Sequence, residues 1–160
     1  MIQQTKNMPY DKALAKAMRY CSFQERCQLD LTNRFIAWNV KKSDFDKILY
    51  ALIADDFLNE TRYVEAFVRG KFKMKKWGKN KIKMGLIAKR VFNESQFEQV
   101  FNEEIDEEVY LKTISELIEK KGYLIEESDE FKKRDKLYRY MIGKGYDSEL
   151  ILRELKQSIL

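Results

Sequence analysis

The sequence predicts an all-α chain, an elongated curved array of three tandem three-helix repeats. Three observations predict it. The 160 residues include one proline and six glycines, so few positions force a break. The abundant Lys, Glu, Leu, Ile and Phe suit helices that draw their stability from packing one apolar face. Finally, three segments of the chain superpose on one another, which is how a repeat architecture is written in sequence.

The superposition is anchored on Val40, Val91 and Tyr146. Nine residues earlier stand Leu31, Ile82 and Leu137. Five and four earlier stand Phe35-Ile36, Leu86-Ile87 and Met141-Ile142, and nine later stand Leu49, Val100 and Leu155. Within each copy this spacing predicts a helix ending near the anchor, a short turn, and a second helix with its own apolar stripe.

The elements follow in order. Residues 1–10 read as an N-terminal tail, followed by repeats at 11–59, 60–107 and 108–160. Each repeat opens with a further helix, marked by Leu14-Met18-Cys21, Tyr63-Phe67-Gly70-Met74 and Tyr110-Ile114-Leu117-Ile118. The hairpin turns are expected at Asn39, Asn93 and Lys144-Gly145, where asparagine and glycine tolerate the left-handed conformation. Ser22 with Glu25, Ser43 with Asp46 and Ser95 with Glu98 resemble capping boxes. Trp77-Gly78 and Lys121-Gly122 should close the fourth and seventh helices, and Tyr123 to Glu130 lengthens a link in the third copy. A three-helix unit of about fifty residues is small for an independent core, so copies should stack and share one.

Charge and composition exclude several function classes. The 31 basic and 26 acidic residues give a formal charge of +5, a mild bias toward anionic partners. The start, Met1 to Lys12, lacks the apolar core of a signal peptide, and no run of about eighteen apolar residues occurs. A cytoplasmic protein without membrane contact is expected. Histidine is absent, and Cys21 and Cys27 are the only cysteines. They are too few for a disulfide framework or zinc site and read as small buried or half-buried residues. No nucleophile–base pair, metal cluster or phosphate-binding glycine loop is recognisable. Asp55-Asp56 and the acidic run Glu103 to Glu108 place carboxylates on adjacent residues, which point apart on a helix. The expectation is a binding protein, not an enzyme, with no metal and no cofactor.

One segment stands out. From Ala66 to Asn93 there are ten Lys or Arg and no acidic residue: Arg69, Lys71, Lys73, Lys75, Lys76, Lys79, Lys81, Lys83, Lys89 and Arg90. On a helix Arg69, Lys73 and Lys76 share a stripe, with Lys71 and Lys75 beside them; Lys79 and Lys83 repeat the pattern after the Trp77-Gly78 break. Like charges four apart cost a few tenths of a kcal/mol per pair, so a benefit elsewhere is expected. The functional reading is a surface for nucleic-acid phosphates or for an acidic protein. The structural reading is a solvated face compensated by Glu94 to Glu108, a stretch without Lys or Arg. Separation along an extended array beyond a Debye length of about 8 Å favours the functional one. Phe67, Phe72, Trp77 and Phe92 interleave with these cations; Phe67 belongs to an apolar stripe, while Trp77 and Phe72 are open between core packing and base stacking.

Certain stretches resemble the RecX family of recombinase regulators. In the first copy these are Ala13-Leu14, Tyr20-Cys21-Ser22, Glu25-Arg26-Cys27 and Asp30-Leu31. In the second they are Phe57-Leu58-Asn59-Glu60-Thr61-Arg62-Tyr63-Val64, then Phe67-Val68-Arg69 and Trp77-Gly78 to Ile82. The chain departs from the family pattern at Gln24, Cys27, Asn59-Glu60 and Arg90. The resemblance implies tandem three-helix repeats and a regulator that binds the RecA filament, lies along its groove and limits strand exchange, ATP hydrolysis and co-protease activity. The expected partners are the RecA recombinase filament and single- or double-stranded DNA, met by a monomer. Direct DNA binding through the basic middle repeat, or a helical scaffold for another acidic protein, are the competing readings.

Overall fold

The computed structural model describes residues 6–158. Residues 1–5 of the expected tail and residues 159–160 of the expected third repeat lie outside the described residues. Among those described, nine α-helices follow one another, with a single 3-10 turn at Lys42–Asp44 and one isolated bridge between Met8 and Val40. The helices are α1 (Tyr10–Phe23), α2 (Gln28–Ala37), α3 (Phe45–Ala54), α4 (Glu60–Lys75), α5 (Lys79–Ala88), α6 (Glu94–Glu104), α7 (Glu107–Leu124), α8 (Glu130–Lys144) and α9 (Ser148–Gln157).

Packing divides the chain into two compact units. The described residues up to Ala66 form the first together with Lys89–Val91, while Phe67–Ala88 and the described residues from Phe92 onward form the second. In the first unit Ala13 and Ala17, one turn apart on α1, present no side-chain bulk and let α3 pack closely on that face. Leu31 and Phe35 of α2 and Ile48 and Leu52 of α3 are fully buried there, each such residue contributing roughly 1.5–3 kcal/mol by leaving water. Val40 and Leu58 close the cluster. The Met8 amide donates to the Asn39 carbonyl at 2.9 Å, tying the chain ahead of α1 to the turn after α2.

The second unit is organised around aromatic rings. Tyr110 of α7 lies 5.7 Å from Phe72, 5.5 Å and edge-on from Phe101, and 5.4 Å from Tyr146. Ile82 and Leu86 of α5, Met141 of α8 and Ile151 of α9 are fully buried beside them.

The sequence columns appear as burial columns. Leu31, Ile82 and Leu137 are buried, as are Phe35, Leu86 and Met141 and the anchors Val40, Val91 and Tyr146. Their neighbours Ile36, Ile87 and Ile142 are exposed in all three copies. The last column is less uniform. Val100 and Leu155 are buried but Leu49 is half-buried, and in α3, which follows the 3-10 turn, Ile48 and Leu52 are the buried pair.

Several local expectations need correction. The left-handed residue lies directly before the anchor in each copy: Asn39 at φ 59°, Arg90 at φ 61° and Gly145 at φ 99°. Asn93 is instead the N-cap of α6, its side chain accepting from the Gln96 amide. Ser22 lies inside α1 and donates back to the Met18 carbonyl; α2 is capped by Cys27, whose amide donates to Asp30. Ser43 falls in the 3-10 turn and Ser95 in the first turn of α6. Helix α4 does end just before Trp77-Gly78, but α7 continues through Gly122 to Leu124. Tyr63 is buried as expected, but the buried line of α4 then runs through Val64, Val68 and Phe72; Phe67 is half-buried and Met74 is 83% exposed, so beyond Tyr63 the expected stripe is one position out of phase.

Candidate functional site

The ten basic residues of the middle segment are dealt into different environments by four elements. Helix α6 carries Glu94, Glu98 and Glu104 on the side facing α4 and α5. Arg69 pairs with Glu104 at 2.9 Å, Lys79 with Glu98 at 2.7 Å and Lys83 with Glu94 at 3.3 Å. The separation of basic and acidic stretches in sequence does not survive folding for these three. Lys79 and Lys83 also lie 5.1 Å over the rings of Phe101 and Phe92.

Lys89 and Arg90 belong to the first unit. The Lys89 ammonium sits 2.7 Å from Asp30, whose carboxylate also accepts from the Cys27 amide at 3.1 Å. Burial alone would raise the Asp30 pKa, but the Lys89 and Cys27 hydrogen bonds outweigh it and hold the carboxyl below its usual range. The same pair raises the pKa of Lys89. Arg90 is exposed and supplies the left-handed turn residue.

Lys71, Lys73, Lys75, Lys76 and Lys81 have no carboxylate partner within the described residues. Lys73 and Lys76 are exposed, and Lys76, at φ 57°, lies beyond the end of α4 and leaves the expected stripe. Lys71 and Lys81 converge on Trp77, their ammonium groups 4.9 Å and 4.8 Å from its ring. Such contacts hold a cation in place while its alkyl stem packs on the ring.

A further cation comes from α8. The Lys144 ammonium donates to the Lys75 carbonyl at 3.0 Å. Burial, followed by repulsion from Lys81 and Lys75, lowers its pKa. In the sequence Lys144 reads only as part of a turn, since 63 positions separate it from Lys81. What brings it in is a backbone junction. The Gly78 amide donates to the Lys144 carbonyl at 2.7 Å and the Asn80 amide to the Gly145 carbonyl at 2.9 Å. Glycine is required on both sides, because a methyl group at Gly78 would overlap the Gly145 backbone, and one at Gly145 would overlap Lys81. The structure therefore sets Lys71 and Lys81 against Trp77, and brings Lys144 to the Lys75 backbone and beside Lys81. It directs Arg69, Lys79, Lys83 and Lys89 into ion pairs.

The two aromatics left open by the sequence part company. Phe72 is buried against Tyr110 and belongs to the core. Trp77 is half-buried, over Gly85 and between lysines. Burial pushes the Cys21 thiol up to about 11 and raises that of buried Cys27, so both stay protonated and weakly nucleophilic near neutral pH. Among the described residues no helix is long and apolar enough to cross a membrane.

Comparison with known proteins places these features in a family. Residues 59–94 match the family model for the second three-helix domain of RecX, and residues 108–155 match that for the third. A regulatory protein RecX from Clostridium beijerinckii is 33% identical over 118 residues, covering 72% of this chain and 54% of the relative. The chain spans 63% of the length of two further relatives from Clostridium perfringens. A crystal structure of regulatory protein RecX superposes with a TM-score of 0.81 at 20% identity, covering 92% of this chain and 73% of the other. The RecX structure from Lactobacillus salivarius gives a TM-score of 0.76 at 20% identity, covering 92% and 95%. At that identity the two structures establish the shared fold.

Proposed function

The chain belongs to the RecX family, and from that premise we propose that it regulates the RecA recombinase without being an enzyme. In this reading it binds the RecA–DNA filament and, mainly by inhibition, modulates its recombinase, ATPase and co-protease activities. It acts in the cytoplasm as a monomer, through a tail at 1–10 and repeats at 11–59, 60–107 and 108–160.

The observation that carries the reading is the group of Lys71, Lys75, Lys81 and Lys144, four cations without a carboxylate partner among the described residues. A nucleoprotein filament is a long polyanion, and complementary charge raises the rate of encounter and fixes orientation more than it raises affinity. The naming of relatives as regulatory proteins is consistent with such a role.

The test is a fluorescence-anisotropy titration of the protein against labelled single-stranded DNA, bare or coated with RecA, at one ionic strength. Tighter binding to the coated strand, with a parallel fall in RecA ATPase, is the expected result. Equal binding to both strands with ATPase unchanged would sink the proposal and leave direct DNA binding in its place.

A further inference from the structure

The group made by Lys71, Lys75, Lys81 and Lys144 has a chemistry that narrows its ligand. All four members are lysines. Arginine's planar fork serves carboxylates and phosphates alike, but lysine is depleted from protein–protein contacts. A lysine ammonium is a compact point charge that suits phosphate oxygens spaced along a backbone and tolerates their changing orientation.

The cations are also held before any ligand arrives. Lys71 and Lys81 rest against the Trp77 ring, and Lys144 is fixed by its bond to the Lys75 carbonyl. Lys71, Lys81 and Lys144 are half-buried, so their stems are ordered, whereas Lys75 is exposed. Assembling like charges without a counter-charge is unfavourable in the free protein, and an anion relieves that cost when it binds. Nearby, Arg69, Lys79 and Lys83 are satisfied by α6, while Lys73 and Lys76 stand exposed in solvent.

We infer that Lys71, Lys75, Lys81 and Lys144 form one site for the phosphodiester backbone of a nucleic acid strand, with Trp77 as the support that positions two of them. The site draws on α4, the α4–α5 link, α5 and the end of α8, so it exists only when Gly78 and Gly145 are in contact. In the filament the ligand is the DNA strand and not the recombinase surface. This assignment rests on the filament-binding proposal for its biological setting, but it can be tested apart from it.

The experiment uses the full chain and a labelled oligothymidine strand, with binding measured over a range of salt concentrations. The variant changes Lys71, Lys75, Lys81 and Lys144 to Gln, and the control changes the exposed Lys112, Lys120, Lys132 and Lys156 to Gln. Circular dichroism establishes that both remain helical. The site variant should bind about tenfold or more weakly, and its salt dependence should flatten by about 0.7 in slope for each phosphate that is no longer neutralised. The control should bind closer to the parent and keep a steeper slope. If the site variant matches the control in affinity and slope, the assignment is wrong. It is equally wrong if the variant keeps oligothymidine binding but no longer binds DNA-free RecA, because the site then recognises protein. Weakened strand binding by the site variant, in a protein that shows no preference for RecA-coated DNA, would support the site while rejecting the filament proposal.

Discussion

Gly78 and Gly145 meet backbone to backbone, with the Gly78 amide donating to the carbonyl of Lys144 at 2.7 Å and the Gly145 carbonyl accepting from Asn80 at 2.9 Å. This contact docks the link between α4 and α5 onto the end of α8, and it carries Lys144 to the cations of the middle segment.

Gly78→Ala should cost about 1–3 kcal/mol, because the added methyl meets immovable backbone of Gly145 and Tyr146 and the junction must open. Gly70 and Gly122 provide the contrast: both lie inside helices with nothing near an added Cβ. Changing either to alanine should raise stability by about 0.5–1 kcal/mol. Urea unfolding followed by circular dichroism measures all three. Equal effects of one sign at Gly78 and Gly122 would show that the junction is not a constraint.

Arg90→Gly should stabilise the chain by about 0.5–1 kcal/mol, since arginine at φ 61° holds a conformation that glycine adopts without steric cost. The gain should appear as a higher urea midpoint with an unchanged slope. Oligothymidine binding should stay close to the parent's, because Arg90 lies in the first unit and outside the lysine group. A lower midpoint would mean that the arginine side chain makes an interaction worth more than the strain.

Asp30→Asn should cost about 1–3 kcal/mol at neutral pH by weakening the hydrogen bonds to Lys89 and the Cys27 amide. The pH dependence follows from the direction of the shift. The folded-state pKa of Asp30 lies below its ordinary 3.8, so its stabilisation is present above that value and is lost as pH falls through the folded pKa. The deficit of the variant relative to the parent should therefore shrink on acidification. A deficit that stays constant from neutral to acid pH would assign the effect to packing and not to charge.

Much of the fold was legible because each copy repeats the same burial problem. Helical spacing identifies which residues share a face, so the columns at Leu31, Phe35 and Val40 and their counterparts could be recognised without coordinates. The capping residues were less legible. Ser, Asn and Asp at several adjacent positions compete for one role, and the choice depends on where the preceding chain leaves the core. Thus Asn93 caps α6 while Ser95 does not. Phe67 reads as part of the buried line because α4 carries apolar residues on neighbouring stripes, and only the packing partners select Val64, Val68 and Phe72.

Local sequence was enough for the all-α class, the threefold pattern of apolar columns, the turns ahead of Val40 and Tyr146 and the cationic character of the middle segment. These are properties of neighbours within one or two helical turns, where spacing dictates geometry. Tertiary structure alone decided which cations are neutralised and which are left to act. Glu94, Glu98 and Glu104 reach Lys83, Lys79 and Arg69 because α6 packs beside α4 and α5, and Lys144 reaches Lys75 because two glycines admit a close backbone approach. Charge interactions fall off with distance in space and take no account of separation along the chain. A run of basic residues therefore became a site only once the helices had chosen their neighbours.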